Sequence, residues 1–157
     1  MKWESLLHEL FEGLIKINTT NPKGNEKAAA LYLKNVFDQY GIPCRVQEIS
    51  EDRANFLAEF DTGKPGKTLM FNGHLDVVPA GDGWTVDPYG GEISDGMVWG
   101  RGTTDDKGPT IAALFALAAL RDSGLPIRRR IRLLFGCNEE TGSADVKYYL
   151  SQGGEVP

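Results

Sequence analysis

The run TIAALFALAAL, residues 110–120, is the feature that most restricts how this chain can fold. It lies within a helical segment whose apolar side chains occupy almost every side. Such a helix has to be covered by other elements, so we expect it to be buried between packed layers. The run is shorter than the roughly 20 residues that a membrane span needs, and we therefore expect no membrane partner.

Helical and strand-like patterns alternate along the rest of the chain. Apolar residues recur at helical spacing in two N-terminal segments, and four later segments have the composition of strands, of which TLMFNG is predicted to be buried. A short hairpin and a last helix complete the pattern. This alternation predicts an α/β fold with a mixed, largely parallel sheet flanked by helices. The segments are residues 3–17, residues 25–40, GIPCRVQEIS, NFLAEF, TLMFNG, RIRLLFG, GGEISDGMVWG and SADVKYYLSQ.

The chain length, net charge and cysteine content indicate the class of protein to which this sequence belongs. The 157 residues are enough for one domain with a real core, and the formal net charge of −5 argues against a nucleic-acid partner. Two cysteines, Cys44 and Cys137, have no CxxC spacing, and no N-terminal signal sequence precedes the first helix. We therefore expect a cytoplasmic protein without disulfides.

Three polar clusters lie where an apolar element meets a loop. His74 and Asp76 follow TLMFNG, Asp105 and Asp106 precede the apolar helix, and Glu139-Glu140 follow IRLLFGCN. Sites in α/β proteins form at the carboxyl ends of strands, so these clusters are expected to meet at one edge of the sheet. Close carboxylates repel one another unless a cation balances them, and one histidine with several carboxylates is a plausible ligand set for divalent metal.

Each cluster also has a purely structural interpretation. His74 is equally compatible with a hydrogen-bonded core histidine. Asp105 and Asp106 are residues that favour a helix N-terminus. Glu139 and Glu140 fit a polar exit from a strand. The combination of the three clusters, rather than any one of them, favours a metal site.

The motifs GHLDVVPAGDGW, WGRGTTDDKGPTIAALFAL and GCNEETGS resemble the di-zinc metallopeptidases. That family includes acetylornithine deacetylase, succinyl-diaminopimelate desuccinylase, aminoacylase and carnosinase. The form GRGTTDDKGPT is most similar to the bacterial Xaa-His dipeptidases. The resemblance implies hydrolysis of dipeptides or short peptides through a water activated by two Zn²⁺ ions, with Mn²⁺ or Co²⁺ as alternatives. An N-acyl amino acid substrate, as in deacylases, and a non-catalytic remnant that binds partners remain open.

The resemblance also implies a role for each matching residue. His74 would bind one zinc, Glu140 the other, and Asp105 would bridge both. Asp76 would hydrogen-bond the His74 ring, and Glu139 would be the general base. The peptide bond between Asp105 and Asp106 would be cis. The only other histidine, His8, lies on an amphipathic helix and is expected to be structural.

The same resemblance predicts that the site is incomplete. The family supplies a further acid and a late histidine that residues 1–157 do not match, so the chain is expected to be the N-terminal part of a catalytic domain without its lid domain. Weak or no zinc binding and no activity are therefore expected of this piece alone. An unfinished sheet also leaves a strand edge exposed, and pairing with another chain, including a homo-oligomer, would cover that edge.

Overall fold

The structure is a computed structural model, and the residues it describes form four α-helices, six strands and one short 3₁₀ helix. It describes residues 2–156, and the side chains from residue 5 onward. Each helix and strand indicated by the sequence is present. The elements are α1 (Lys2–Lys16), α2 (Glu26–Gln39), β1 (Cys44–Glu48), β2 (Ala54–Phe60), β3 (Leu69–His74), β4 (Glu92–Ser94), β5 (Met97–Trp99), α3 (Lys107–Asp122), β6 (Ile131–Gly136) and α4 (Ala144–Ser151).

The main sheet has four strands in the order β1-β2-β6-β3. The β1–β2 and β2–β6 pairs are antiparallel, whereas β6 and β3 are parallel. The prediction of an α/β fold with a mixed sheet flanked by helices is therefore confirmed, but only one of the three strand pairs is parallel, so the sheet is not largely parallel. In the parallel pair His74 lies opposite Gly136. Both strands end together, and the residues that follow them leave the sheet at the same edge.

The two faces of the sheet bury different sets of side chains. Phe56 and Phe135 stack with their ring centroids 5.8 Å apart, within the larger core that also contains residues of α1, α2 and α3. Leu57 and Leu134, one position along each strand, pack instead with Tyr149 of α4. This alternation follows from the two-residue period of a strand, which sends successive side chains to opposite faces.

The expected all-round burial of α3 is wrong. One side of the helix is buried, including Ile111 and Leu114, while Ala112, Ala116 and Ala119 are exposed. The apolar residues on the outer side are alanines, each of which exposes little apolar surface. Alanine is also the best helix former, so this side satisfies helix propensity without needing a cover.

The prediction that TLMFNG is a buried strand is also wrong. β3 is an edge strand of the sheet, and Leu69 and Phe71 are 47% and 48% exposed. Strand β6 pairs with it on one side only, so the other side of β3 carries no strand of the described chain. The expected open edge is therefore present at β3.

Both cysteines, Cys44 and Cys137, are free, and burial raises the pKa of each thiol to about 12. Among the described residues we find no helix with the length and apolar character required to cross a bilayer.

Candidate metal centre

His74 is the last residue of β3 and is only 6% exposed. Its Nδ1 lies 2.9 Å from the main-chain carbonyl oxygen of Asp76, and its Nε2 lies 3.1 Å from Asp105 Oδ1. The Asp76 carboxylate, expected to hold the ring, has its Oδ1 3.5 Å from Nδ1. The hydrogen-bond partner of Nδ1 is therefore the Asp76 carbonyl, with the carboxylate as a nearby charge.

The buried carboxylate of Asp76 instead faces the strand exit of β6. Its Oδ1 accepts a hydrogen bond from the main-chain N–H of Glu139 at 3.0 Å, and its Oδ2 accepts one from that of Glu140 at 3.1 Å. The side-chain amide of Asn21 donates to the same Oδ2 at 2.7 Å. Burial alone would raise the pKa of Asp76, but His74 and these donors lower it. Asp76 thus connects the histidine segment to the glutamate segment.

Glu139 and Glu140 begin a 3₁₀ turn, Glu139–Thr141, just after β6. His74, Glu139 and Glu140 each place one potential ligand atom within 4.8 Å of the others. Glu139 Oε2 is 3.9 Å from His74 Nε2. Burial, together with the charges of Asp105 and Glu139, raises the pKa of Glu140. Two clusters that are far apart in sequence therefore meet as one potential ligand group.

The third cluster reaches the same histidine from the start of α3. The Asp105-Asp106 peptide bond is cis, as the resemblance implied. The Asp105 side chain is 76% exposed; it contacts His74 but is not part of the three-residue ligand group. Asp106 occupies the N-cap position without a side-chain cap hydrogen bond, and its Oδ2 accepts one from the main-chain N–H of His74 at 3.1 Å. The capping interpretation is therefore wrong for Asp106.

Gly73 makes this approach of Asp106 sterically possible. A Cβ atom at position 73 would overlap Asp106 Oδ2 and press on Thr110 Cγ2. The glycine of GHLD therefore lets the start of α3 pack directly against the end of β3.

The acidic residues make this corner favourable for positive charge. Burial would lower the pKa of His74, but Asp76, through its carboxylate and carbonyl, and the Asp105 carboxylate raise it to about 9. The pKa of Asp106 is also raised, by burial first and then by the charges of Asp105 and Glu139. An imidazole nitrogen and several carboxylates are donors that suit Zn²⁺ and Mn²⁺, so the residues present fit a divalent cation.

Sequence reasoning missed three residues that support this corner. The sequence patterns assign no role at this corner to Asn21, Arg53 or Asp145. Asn21 holds Asp76, while the Arg53 guanidinium binds Asn21 Oδ1 at 2.9 Å and the Cys137 carbonyl at 2.6 Å. The Asp145 carboxylate accepts from the main-chain N–H groups of Cys137 and Asn138. No local pattern marks these residues, because several of their partners lie far away in sequence.

The sequence profile of Peptidase family M20/M25/M40 matches residues 70–155, more than half of the chain. The chain belongs to this peptidase family. The matched region contains all five residues that the motifs singled out. The family resemblance inferred from those motifs is confirmed.

Relatives in the M20 group come from two activity classes. The Beta-Ala-Xaa dipeptidase of Lactobacillus delbrueckii subsp. lactis is 41% identical over 102 residues, covering 64% of this chain and 22% of the relative. The probable succinyl-diaminopimelate desuccinylase of Staphylococcus aureus (strain MRSA252) is 37% identical over 147 residues, covering 92% of this chain and 35% of the relative. The chain therefore spans about a fifth to a third of the length of these M20 relatives.

A solved structure gives the same result for the fold. The crystal structure of human carnosine dipeptidase 1 superposes on 96% of this chain with a TM-score of 0.71 and 26% sequence identity. The superposed part is 36% of that longer chain. Over nearly all of this chain, the arrangement of sheet and helices is thus that of an M20 peptidase domain.

Proposed function

We propose that these residues form part of the active site of a metal-dependent dipeptidase. The observation that carries the proposal is the convergence of His74, Glu139 and Glu140 within 4.8 Å, at the joint end of β3 and β6. In the proposed site His74 and Glu140 would each hold one metal ion, and Asp105 would be a ligand shared by both.

The metals proposed are two Zn²⁺ ions, with Mn²⁺ or Co²⁺ as alternatives. When bound, such ions lower the pKa of a coordinated water and polarise a carbonyl group. Asp76 keeps the histidine and glutamate segments together, and its carbonyl group accepts the Nδ1 proton of His74. This bond leaves Nε2 as the nitrogen available to a metal. The support for these assignments is the donor set and the geometry around His74.

Glu139 is proposed as the general base. Its side chain is 55% exposed, and its carboxylate reaches within 3.9 Å of His74 Nε2. It takes a proton from the attacking water and transfers it to the amine of the leaving group. Glu139 and Glu140 both belong to the potential ligand group, and the division of roles between them follows the family motif.

The proposed substrates are dipeptides or short peptides, supported by the similarity to a Beta-Ala-Xaa dipeptidase. A second candidate is deacylation of an N-acyl amino acid, supported by the desuccinylase relative that covers 92% of the chain. Both reactions cleave an amide bond, so the same metal and base residues serve either one. The two free thiols support our proposal of a cytoplasmic enzyme.

Residues 1–157 alone are proposed to bind zinc weakly. In the proposed site each ion would have two ligands from these residues: His74 and Asp105 for one, Asp105 and Glu140 for the other. Catalytic zinc usually takes three protein ligands. The remaining ligands would then come from residues other than these, in keeping with relatives of which this chain spans 22% and 35%.

The experiment that tests the function compares Glu139→Gln with Glu140→Gln in the full-length protein. Bound zinc is measured by atomic absorption after dialysis, and hydrolysis of β-alanyl and succinyl substrates is followed separately. Glu139→Gln should keep its zinc and lose turnover by at least about 100-fold, since general-base catalysis contributes 10²–10⁴. Glu140→Gln should lose zinc as well.

The exposed residue Glu51 provides the matched control, because Glu51→Gln makes the same chemical change away from the site. That variant should behave as the unsubstituted protein does. Normal turnover in Glu139→Gln would refute the assignment of the base. Unchanged zinc content in both His74→Ala and Glu140→Gln would refute the metal site itself.

A further inference from the structure

The segment Cys137–Glu140 carries both glutamates of the site. Its four consecutive main-chain N–H groups donate hydrogen bonds to two buried carboxylates. Asp76 accepts those of Glu139 and Glu140 at 3.0 and 3.1 Å. Asp145 accepts those of Cys137 and Asn138 at 2.9 and 3.3 Å. All four N–H groups of this segment are therefore bound within the protein.

Asp145 is 2% exposed in the first turn of α4, and both of these hydrogen bonds go to its Oδ2. The absence of a side chain at Gly136 makes its position possible, since a Cβ atom there would overlap Asp145 Oδ2. The side-chain amide of Asn55 on β2 donates to the Asp145 carbonyl at 3.2 Å. The main chain of Asp145 is therefore held from the sheet side, and its Oδ2 is directed at the backbone of the glutamate segment, while its Oδ1 is buried without a hydrogen-bond partner.

Arg53, just before β2, completes this support. One guanidinium nitrogen donates to the Cys137 carbonyl at 2.6 Å. The other donates to Asn21 Oδ1 at 2.9 Å, and the amide of Asn21 donates in turn to Asp76. Arg53 thereby ties the beginning of the segment to the carboxylate that holds its end.

We propose that Asp145 and Arg53 are positioning residues that set where Glu139 and Glu140 present their side chains to the metal. The inference rests on the proposed function, because it assigns the two glutamates to metal binding and catalysis. Groups that orient metal ligands typically change metal affinity or activity by about 10- to 100-fold when they are replaced. Neither residue touches substrate or metal in this proposal; both act through the backbone of the segment.

The test uses Asp145→Asn in the full-length protein, which keeps the size of the side chain and replaces the charged acceptor of both hydrogen bonds with a weaker, neutral one. Co²⁺ is the probe, and the measurements are its affinity and its visible absorption spectrum. Asp145→Asn should bind Co²⁺ about 10- to 100-fold more weakly, with a changed spectrum. Asp122→Asn, in an exposed acid paired with Arg121, is the matched control and should leave both readouts unchanged.

A further readout and a second variant separate positioning from general stability. Thermal unfolding without metal shows whether Asp145→Asn is folded, and a purely structural role would lower the unfolding temperature while leaving Co²⁺ affinity and spectrum unchanged. Arg53→Lys is the second variant, since lysine keeps the charge but not the forked donor geometry that reaches Cys137 and Asn21. It should weaken Co²⁺ binding in the same direction.

The outcomes distinguish this inference from the proposed function. Glu140→Gln serves as the reference: if it binds Co²⁺ normally, the proposed function fails. If it binds weakly but folded Asp145→Asn and Arg53→Lys bind within twofold of the unsubstituted protein, the positioning role alone is overturned. If neither variant folds, the positioning role is tested by amide hydrogen exchange on the unsubstituted protein. Slow exchange at all four N–H groups supports the role, and exchange at the rate of an open loop overturns it.

Discussion

The main-chain N–H of Glu139 donates to the Asp76 carboxylate over a separation of 63 residues, with 3.0 Å between the nitrogen and Oδ1. The second carboxylate oxygen accepts from Glu140 in the same way. One buried acid therefore sets the distance between the end of β3, with its histidine, and the turn after β6, with its glutamates. This relationship explains how the residues at the two strand ends are held close together.

Replacing Asp76 with asparagine should weaken that connection. An amide nitrogen in place of Oδ1 or Oδ2 cannot accept from Glu139 or Glu140, so one N–H is left without its partner. We expect a loss of about 1–3 kcal/mol in the free energy of unfolding and about 10- to 100-fold weaker zinc binding. Chemical denaturation and chelator competition measure the two effects. Asp82→Asn, in an exposed loop acid, should change neither; equal effects in both variants would contradict the role given to Asp76.

The fully buried Lys107 is expected to stabilise the junction of α1 and α3. Its ammonium group donates to the carbonyl oxygens of Leu14 and Ile17 at 3.0 and 2.8 Å, at the end of α1. Lys107→Met removes both bonds and leaves two acceptors unpaired, and should lower the free energy of unfolding by about 3 kcal/mol. The exposed Lys147→Met is the matched control. A loss in Lys107→Met no larger than that in the control would show that these bonds contribute nothing.

Glu26 is expected to destabilise the protein at neutral pH. Both of its carboxylate oxygens are buried without a well-aligned hydrogen-bond partner, and its nearest charge is Arg53 at 3.8 Å. Burial raises its pKa above 4.5, although nearby main-chain N–H groups and Arg53 oppose this. The Glu26→Gln variant should therefore be more stable at pH 7, by on the order of 1 kcal/mol.

The pH dependence of this effect has a definite sign. Between the unfolded pKa of 4.5 and the raised pKa of the folded state, the folded protein holds a proton that the unfolded chain has lost. Its stability consequently falls as pH rises through this window. Denaturation curves measured across this pH window should show that the free energy of unfolding of Glu26→Gln rises relative to that of the unsubstituted protein. The exposed Glu51→Gln variant should show no such rise. A gain that is independent of pH would contradict burial of the charge as its cause.

The open edge at β3 should make the 157-residue chain self-associate. Leu69 and Phe71 are about half exposed there, beside main-chain groups that no described strand pairs. Phe71→Lys should reduce association, because charged side chains on an edge strand disfavour pairing with another chain. Sedimentation velocity over a range of concentrations measures it. Leu125→Lys, in a residue that is 60% exposed and outside the sheet, is the control; a concentration-independent monomer of the unsubstituted chain would refute the expectation.

Local patterns were sufficient to place the secondary structure. The helices and strands follow from apolar periodicity, and the β4–β5 hairpin turns at Asp95-Gly96, where both residues have positive φ as a tight hairpin turn requires. The same patterns misjudged burial. The apolar sequences of α3 and β3 suggest burial, but the outer alanines of α3 are exposed and β3 is an edge strand. Burial depends on which elements lie next to one another.

The sequence by itself determined the family and the residues His74, Asp76, Asp105, Glu139 and Glu140 as candidates, since their motifs are short and local. Only the tertiary structure decided how they meet. The parallel pairing of β3 with β6 places His74 opposite Gly136, and a few residues beyond these strand ends the turn with its glutamates begins. The roles of Asn21, Arg53 and Asp145 depend on hydrogen bonds to side-chain and backbone groups that lie between 7 and 84 residues away. Such bonds produce no recognisable sequence motif, because they can be made by any residue of suitable chemistry that the fold brings close.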